Sequence, residues 1–198
     1  MTATYDTTTP TSAPDTHWRT RDIVIAAVIG VAFGVVFWAW GLVYNGPLGF
    51  LSAFALPVRD LGYAVWLIPA VLAPLIIRKP GAALFAEMVA AALSVFMGTP
   101  WGPDVLLSGF VQGVAAEVVF GFTLYRVWTF PVLAIAAVAS AAAAWIHDWV
   151  VYFANVDPAI QFARLVFMAI SAVVIVAAGS VALHRSLKRA GVLEGFPG

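Results

Sequence analysis

The chain has no cysteine, only three histidines, and little charge: ten basic and ten acidic side chains among 198 residues. Without cysteine there is neither a disulfide nor a thiolate metal site. His17, His147 and His184 are too scattered for a metal cluster, so no resident metal or other cofactor is expected. Balanced charge leaves no global field, which gives no reason to expect nucleic acid as a partner. Also absent are the phosphate loop G-x-x-x-x-G-K-[ST], the zinc pair H-E-x-x-H and the nucleophile turn G-x-S-x-G. ATP hydrolysis through such a loop is excluded. An intramembrane enzyme built on His147 and Asp148 ranks last, because no nucleophile stands beside them.

What the chain has in abundance is apolar surface. It is 63% hydrophobic, with a mean hydropathy of +0.97, more than a soluble domain of this length could bury. The expected class is an all-α integral membrane protein of the cell membrane. Residues 1–18, rich in Thr, Pro, Ser and Asp, read as a disordered cytoplasmic tail. Residues 19–190 read as one membrane domain and 191–198 as a C-terminal tail. A span needs about 20 apolar residues. Gly, Pro and the few charges divide the chain into six candidates, at 22–44, 60–77, 81–98, 104–126, 131–153 and 160–185.

The distribution of charge supports the count of six. With both termini cytoplasmic, Arg19, Arg21, Arg78, Lys79, Arg126, Arg185, Lys188 and Arg189 lie inside, and only Arg59 and Arg164 outside. That obeys the positive-inside rule, whereas five spans would throw the C-terminal basic cluster outward. The same topology puts Trp38, Trp40, Trp66, Trp101, Trp145 and Trp149 at outer helix ends. Some of these rings serve as interfacial anchors; together they suggest an aromatic pocket opening outward.

Two carboxylates, Glu87 and Glu117, interrupt apolar segments where no water can solvate them. An ionised group at the bilayer centre costs on the order of 2.5–3.5 kcal/mol on insertion scales, so a binding or ion-handling role is the first reading. They lie roughly 9 and 13 Å from the inner ends of their helices at 1.5 Å per residue. On the fourth segment Gly109, Gln112, Gly113, Ala116, Glu117, Phe120 and Gly121 share one face. On the third, Ala83, Glu87, Ala90, Ala91 and Ser94 do the same. Should the two glutamates face one cavity, their repulsion favours a cationic or amine-bearing ligand between them. An interhelical hydrogen bond is the structural alternative for Gln112 and Glu117. Asp148 and Arg164 are positioned for a structural ion pair. His147 is either a hydrogen-bonding group for a ligand or a core histidine. On the first segment Ala26, Gly30 and Gly34 make a small-residue stripe, for packing within the chain or for docking a partner.

Several stretches in order carry a family likeness. Trp38-Ala39-Trp40-Gly41, Ile77-Arg78-Lys79-Pro80-Gly81 followed by Glu87, Gly98-Thr99-Pro100-Trp101-Gly102, and Gly109-Phe110-Val111-Gln112-Gly113 followed by Glu117 resemble the YkoE family. Its members are substrate-binding S components of energy-coupling factor (ECF) vitamin importers, associated with thiamine and its hydroxymethylpyrimidine precursor. The resemblance covers about residues 20–185 and implies a six-helix protein that captures its vitamin on the outer side. It also implies a transmembrane coupling subunit and two ATPase subunits as partners, consistent with the missing phosphate loop. S components often dock the coupling subunit through Ala-x-x-x-Ala on helix one; the matching positions here read Ala26, Gly30 and Gly34, which departs from that motif. An aminopyrimidine suits Glu87, Glu117 and Gln112, with His147 as a further polar group. A flat or cationic ring suits Trp38, Tyr63, Trp66, Trp101 and Trp145. The rival reading is a stand-alone proton- or cation-coupled transporter using Glu87 and Glu117 as a relay.

Overall fold

A computed structural model describes residues 16–194 and 196, and among these the chain is all-helical. The helices are α1 (Thr20–Asn45), α2 (Leu56–Ile77), α3 (Ala82–Phe96), α4 (Asp104–Phe122), α5 (Phe130–Val151) and α6 (Pro158–Arg189). Five are long and apolar enough to cross a membrane. The exception, α3, has 15 residues, about 22 Å at 1.5 Å per residue and so shorter than a typical hydrocarbon core. α4 stops before the expected 126 because Leu124 and Tyr125 turn into the left-handed region, with φ of 52° and 55°.

α2 is the central helix. It contacts each of the other five, while α1, α3, α4, α5 and α6 pack side by side in that order around it. Every residue from Pro69 to Ile77 is accordingly buried. Two helices change pitch where they meet: α2 winds as a tight 3-10 helix over Asp60–Leu67, and α6 as a wide π-helix over Ala172–Ala177. The 3-10 stretch matters for the site. At three residues per turn, side chains three apart eclipse. Asp60, Tyr63 and Trp66 therefore stand in one stripe, where a 3.6-residue helix would fan them apart.

The small-residue stripe of α1 is spent inside the chain. Ala26, Gly30 and Gly34 are buried, and a Cβ on Gly30 or Gly34 would fall 2.6 Å from the Cβ of Val89 or 2.7 Å from that of Leu93 on α3. The expectation that this face docks a partner is corrected: α3 already occupies it, leaving Val24, Val28, Val31 and Val35 on the outward side. Gly30→Leu will consequently lower the melting temperature of the purified protein in detergent, because overpacking here costs about 1–3 kcal/mol. A variant that melts normally but loses only partner binding would refute that assignment.

The end carrying both termini holds most of the basic residues. Trp18 Nε1 donates to the carbonyl of Pro80 at 2.8 Å, and Lys79 reaches Asp22 at 2.6 Å and the His17 carbonyl. Leu193 is buried among Ala26 and Ile77, and the Arg21 guanidinium sits 5.0 Å above the Phe196 ring. Both tails are thus pinned where they leave the domain. Residues 1–15 of the expected N-terminal tail, and 195, 197 and 198 of the C-terminal one, lie outside the described residues.

Candidate functional site

At the opposite end, five helix termini frame a cavity of about 170 Å³. A single water needs only about 10–15 Å³ on this measure, so the space is of small-molecule size. Asn45 closes α1, Arg59 lies in the first turn of α2, Thr99 and Trp101 link α3 to α4, Asp104 opens α4, and Tyr152 and Phe153 follow α5; all line it. One wall is aromatic. Trp66 meets Tyr44, Tyr63 and Trp101 edge-on, with ring centroids 4.8, 5.3 and 5.1 Å away. The 3-10 winding of α2 presents Tyr63 and Trp66 together, and the carbonyls of Phe37 and Gly62 anchor the Trp66 and Trp40 indole N–H groups.

The polar lining is rich in acid. Glu87 is fully buried, and neither carboxylate oxygen has a hydrogen-bond partner among the described residues. The Ala70 backbone amide approaches it without hydrogen-bond geometry. What lets α3 bring this group so close to α4 is glycine. A Cβ on Gly109 would fall 2.9 Å from the Ala91 Cβ, and one on Gly113 2.8 Å from the Leu84 Cα. Beside Glu87 on the lining stands Gln112, whose amide donates to Ser108 at 2.6 Å and to Tyr63 at 3.4 Å. Nearer the mouth, His147 bridges Asp148 (3.1 Å) and Asp104 (3.3 Å), and Asp104 also accepts from Tyr152. Burial, followed by the Asp104 carboxylate, pushes the Tyr152 phenol up, so it remains a donor. Chemically, this is an aromatic slot with carboxylates at two levels, suited to a flat ligand that offers N–H donors or positive charge.

Of the residues singled out from the sequence, Glu87, Gln112, Tyr63, Trp66, Trp101 and His147 line this cavity; Glu117, Trp38 and Trp145 do not. Glu117 lies elsewhere and is fully engaged. Its Oε1 accepts from the backbone N–H groups of Ala83 (2.6 Å) and Leu84 (3.3 Å), and its Oε2 from the Tyr125 hydroxyl (2.6 Å). It caps the first turn of α3 from the neighbouring helix, meeting orphan donors that every helix start exposes. Burial and this carboxylate raise the Tyr125 phenol, which keeps it a donor. The picture of two glutamates repelling across one cavity is therefore corrected: only Glu87 faces it. Trp145 donates to the Gln161 carbonyl at 2.9 Å and packs on Trp149, and Trp38 is half-buried on α1. Sequence reasoning missed Asp104, Arg59, Tyr44 and Ser108. Only Ser108 carried a signal, lying one helical turn before Gln112.

Glu117→Gln will destabilise the protein by about 1–3 kcal/mol, the usual penalty for weakening hydrogen bonds to a charged acceptor, while leaving the cavity intact. Parallel melting and ligand titration would check it; lost ligand binding at unchanged stability would refute it.

Arg164 lies behind the aromatic wall, completely buried. Its Nε donates to Asp60 at 2.6 Å and its Nη1 to Gln161 at 2.9 Å, while Asp148, the partner expected from sequence, is 3.9 Å from Nη2. Asp60 also accepts from Tyr44 at 2.7 Å, which ties this charge cluster to the cavity lining.

Comparison with known proteins gives a consistent family. A family model described as the permease component of an ABC-type cobalt transport system matches residues 21–143. The HMP/thiamine permease protein YkoE of Bacillus subtilis (strain 168) is 36% identical over 181 residues, covering 90% of this chain and 89% of the relative. A crystal structure described as an S-component of an ECF transporter superposes with a TM-score of 0.85 at 35% identity, over 90% of each chain.

Proposed function

Because the chain belongs to the YkoE family of ECF transporter S components, we propose that it captures thiamine or its hydroxymethylpyrimidine moiety from outside the cell. It is a multi-pass protein of the plasma membrane and a transporter component rather than an enzyme. In the proposed topology all six helices span the bilayer, the short α3 included, with both termini in the cytoplasm. Eight basic residues against two at the ends of the bundle support that orientation. The cavity then opens outward.

The observation that carries the substrate reading is Glu87: a fully buried carboxylate without a protein donor, lining a cavity walled by Tyr44, Tyr63, Trp66 and Trp101. An aminopyrimidine supplies the missing N–H, with Gln112 as a second polar contact and the rings as its stacking surface. A thiazolium would add cation–π attraction of about 0.5–2 kcal/mol. Asp104, Asp148 and His147 serve the outer end of the ligand. Glu117, Trp38 and Trp145 have structural roles in this proposal. The cobalt of the family description is not carried over, since no group of three or more His, Cys, Asp or Glu positioned to hold a metal ion occurs among the described residues.

Transport is proposed to rely on a separate coupling subunit and ATPase pair. The rival relay reading loses its second carboxylate, because Glu117 is committed to the start of α3. Titration of the purified protein with thiamine and with hydroxymethylpyrimidine, followed by tryptophan fluorescence, tests the assignment: Trp66 and Trp101 in the wall should respond saturably to at least one. No saturable response to either overturns it.

A further inference from the structure

The connection between α1 and α2 runs from Gly46 to Ala55 and includes a short 3-10 helix, Pro47–Ala53. From Gly46 to Val58 there is no charged side chain. Its two sides differ. Leu48 packs inward on the core, whereas Phe50 and Phe54 are 73% and 67% exposed, their rings paired edge-on at 5.2 Å. Neither ring lines the cavity, although Asn45 and Arg59, at the two ends of the segment, do. Leu42 and Val43, in the last turn of α1 leading into this segment, are also exposed.

We propose that this connection is an interfacial segment, with Phe50 and Phe54 seated in phospholipid at the cavity end of the bundle. Exposed aromatic rings on a segment that carries no charged side chain of its own, at the end of a spanning helix whose last turn also exposes apolar side chains, match the membrane–water boundary. Arg59 joins this seat to the site. Its Nη1 donates to Ser52 at 2.6 Å, and its guanidinium lies 4.5 Å over the Tyr44 ring. Lipid on one side and Arg59 on the other thus hold this rim of the cavity mouth in place.

The natural absence of cysteine allows a direct test. Phe50→Cys and Phe54→Cys, each spin-labelled and reconstituted in phosphatidylcholine–phosphatidylglycerol liposomes, are compared with Asn155→Cys in the exposed α5–α6 connection at the same end. The expected result is a loss of at least half the collision rate with an aqueous nickel chelate at 50 and 54, with oxygen access retained. Labels as open to nickel as the one at 155 overturn the proposal. So do labels shielded from both reagents, which would mean a protein neighbour or second copy. For the rim, Phe50→Ser with Phe54→Ser should speed thiamine release severalfold in nanodiscs; an unchanged rate in a variant that binds thiamine overturns that half. Because the depth measurement needs no ligand, a failure of thiamine to bind leaves it independently readable.

Discussion

Glu87→Gln will weaken ligand binding by roughly 10- to 100-fold while leaving the protein as stable as before or more so. The two effects share one cause. A hydrogen bond to a charged group is worth about 1.5–3 kcal/mol, and by proposal the ligand supplies the donors this carboxylate lacks. In the free protein the same group is a liability, buried with neither oxygen bonded to protein. The amide occupies nearly the same volume without the ionisable charge, so the α3–α4 packing at Gly109 and Gly113 is kept. Binding measured by calorimetry beside thermal melts in the same detergent gives both quantities. Normal affinity in the variant would remove Glu87 from the site.

Arg164→Met will be the most destabilising single change, lowering stability by about 3–5 kcal/mol, because it strands Asp60 in a buried position without its closest cation. Tyr44 would still donate to Asp60, and Arg59 lies 4.0 Å away, yet neither replaces the 2.6 Å contact. The guanidinium also lies 3.8 Å over Phe153 at the cavity edge, so ligand affinity should fall together with stability. Asp60→Leu combined with Arg164→Met separates the causes: if stranded charge dominates, the double variant melts higher than the single one. Equal or lower melting of the double variant would instead place the loss in packing around Phe153 and Gln161.

The helices were legible from composition because apolar runs and punctuating Gly, Pro and charge are local signals. Each of the six expected segments contains a helix, with differences at the ends. Part of the lining was legible for a similar reason: Gln112 and Glu87 are anomalous wherever an apolar helix carries them. Pairing was not. Glu117 is as anomalous in sequence as Glu87, and what separates them is the first turn of α3, whose orphan amides are common to all helix starts and leave no residue-level mark. Arg164 keeps the expected ion pair with Asp148 at 3.9 Å but is held more closely by Asp60 at 2.6 Å, a partner that local spacing does not reveal because α2 packs against both α5 and α6. Asp104 and Arg59 sit at helix ends, where a charge ordinarily means only that the membrane stops.

The tight winding of α2 between Asp60 and Leu67 gives the site a rotary coordinate. Taken to ordinary α-helical pitch, those eight residues would shorten by about 4 Å, and Trp66 would swing about 120° around the axis relative to Asp60. With Asp60 clamped by Arg164, that turn would carry Trp66 off the cavity wall. A change of helical pitch in this one stretch would thus take the aromatic wall apart.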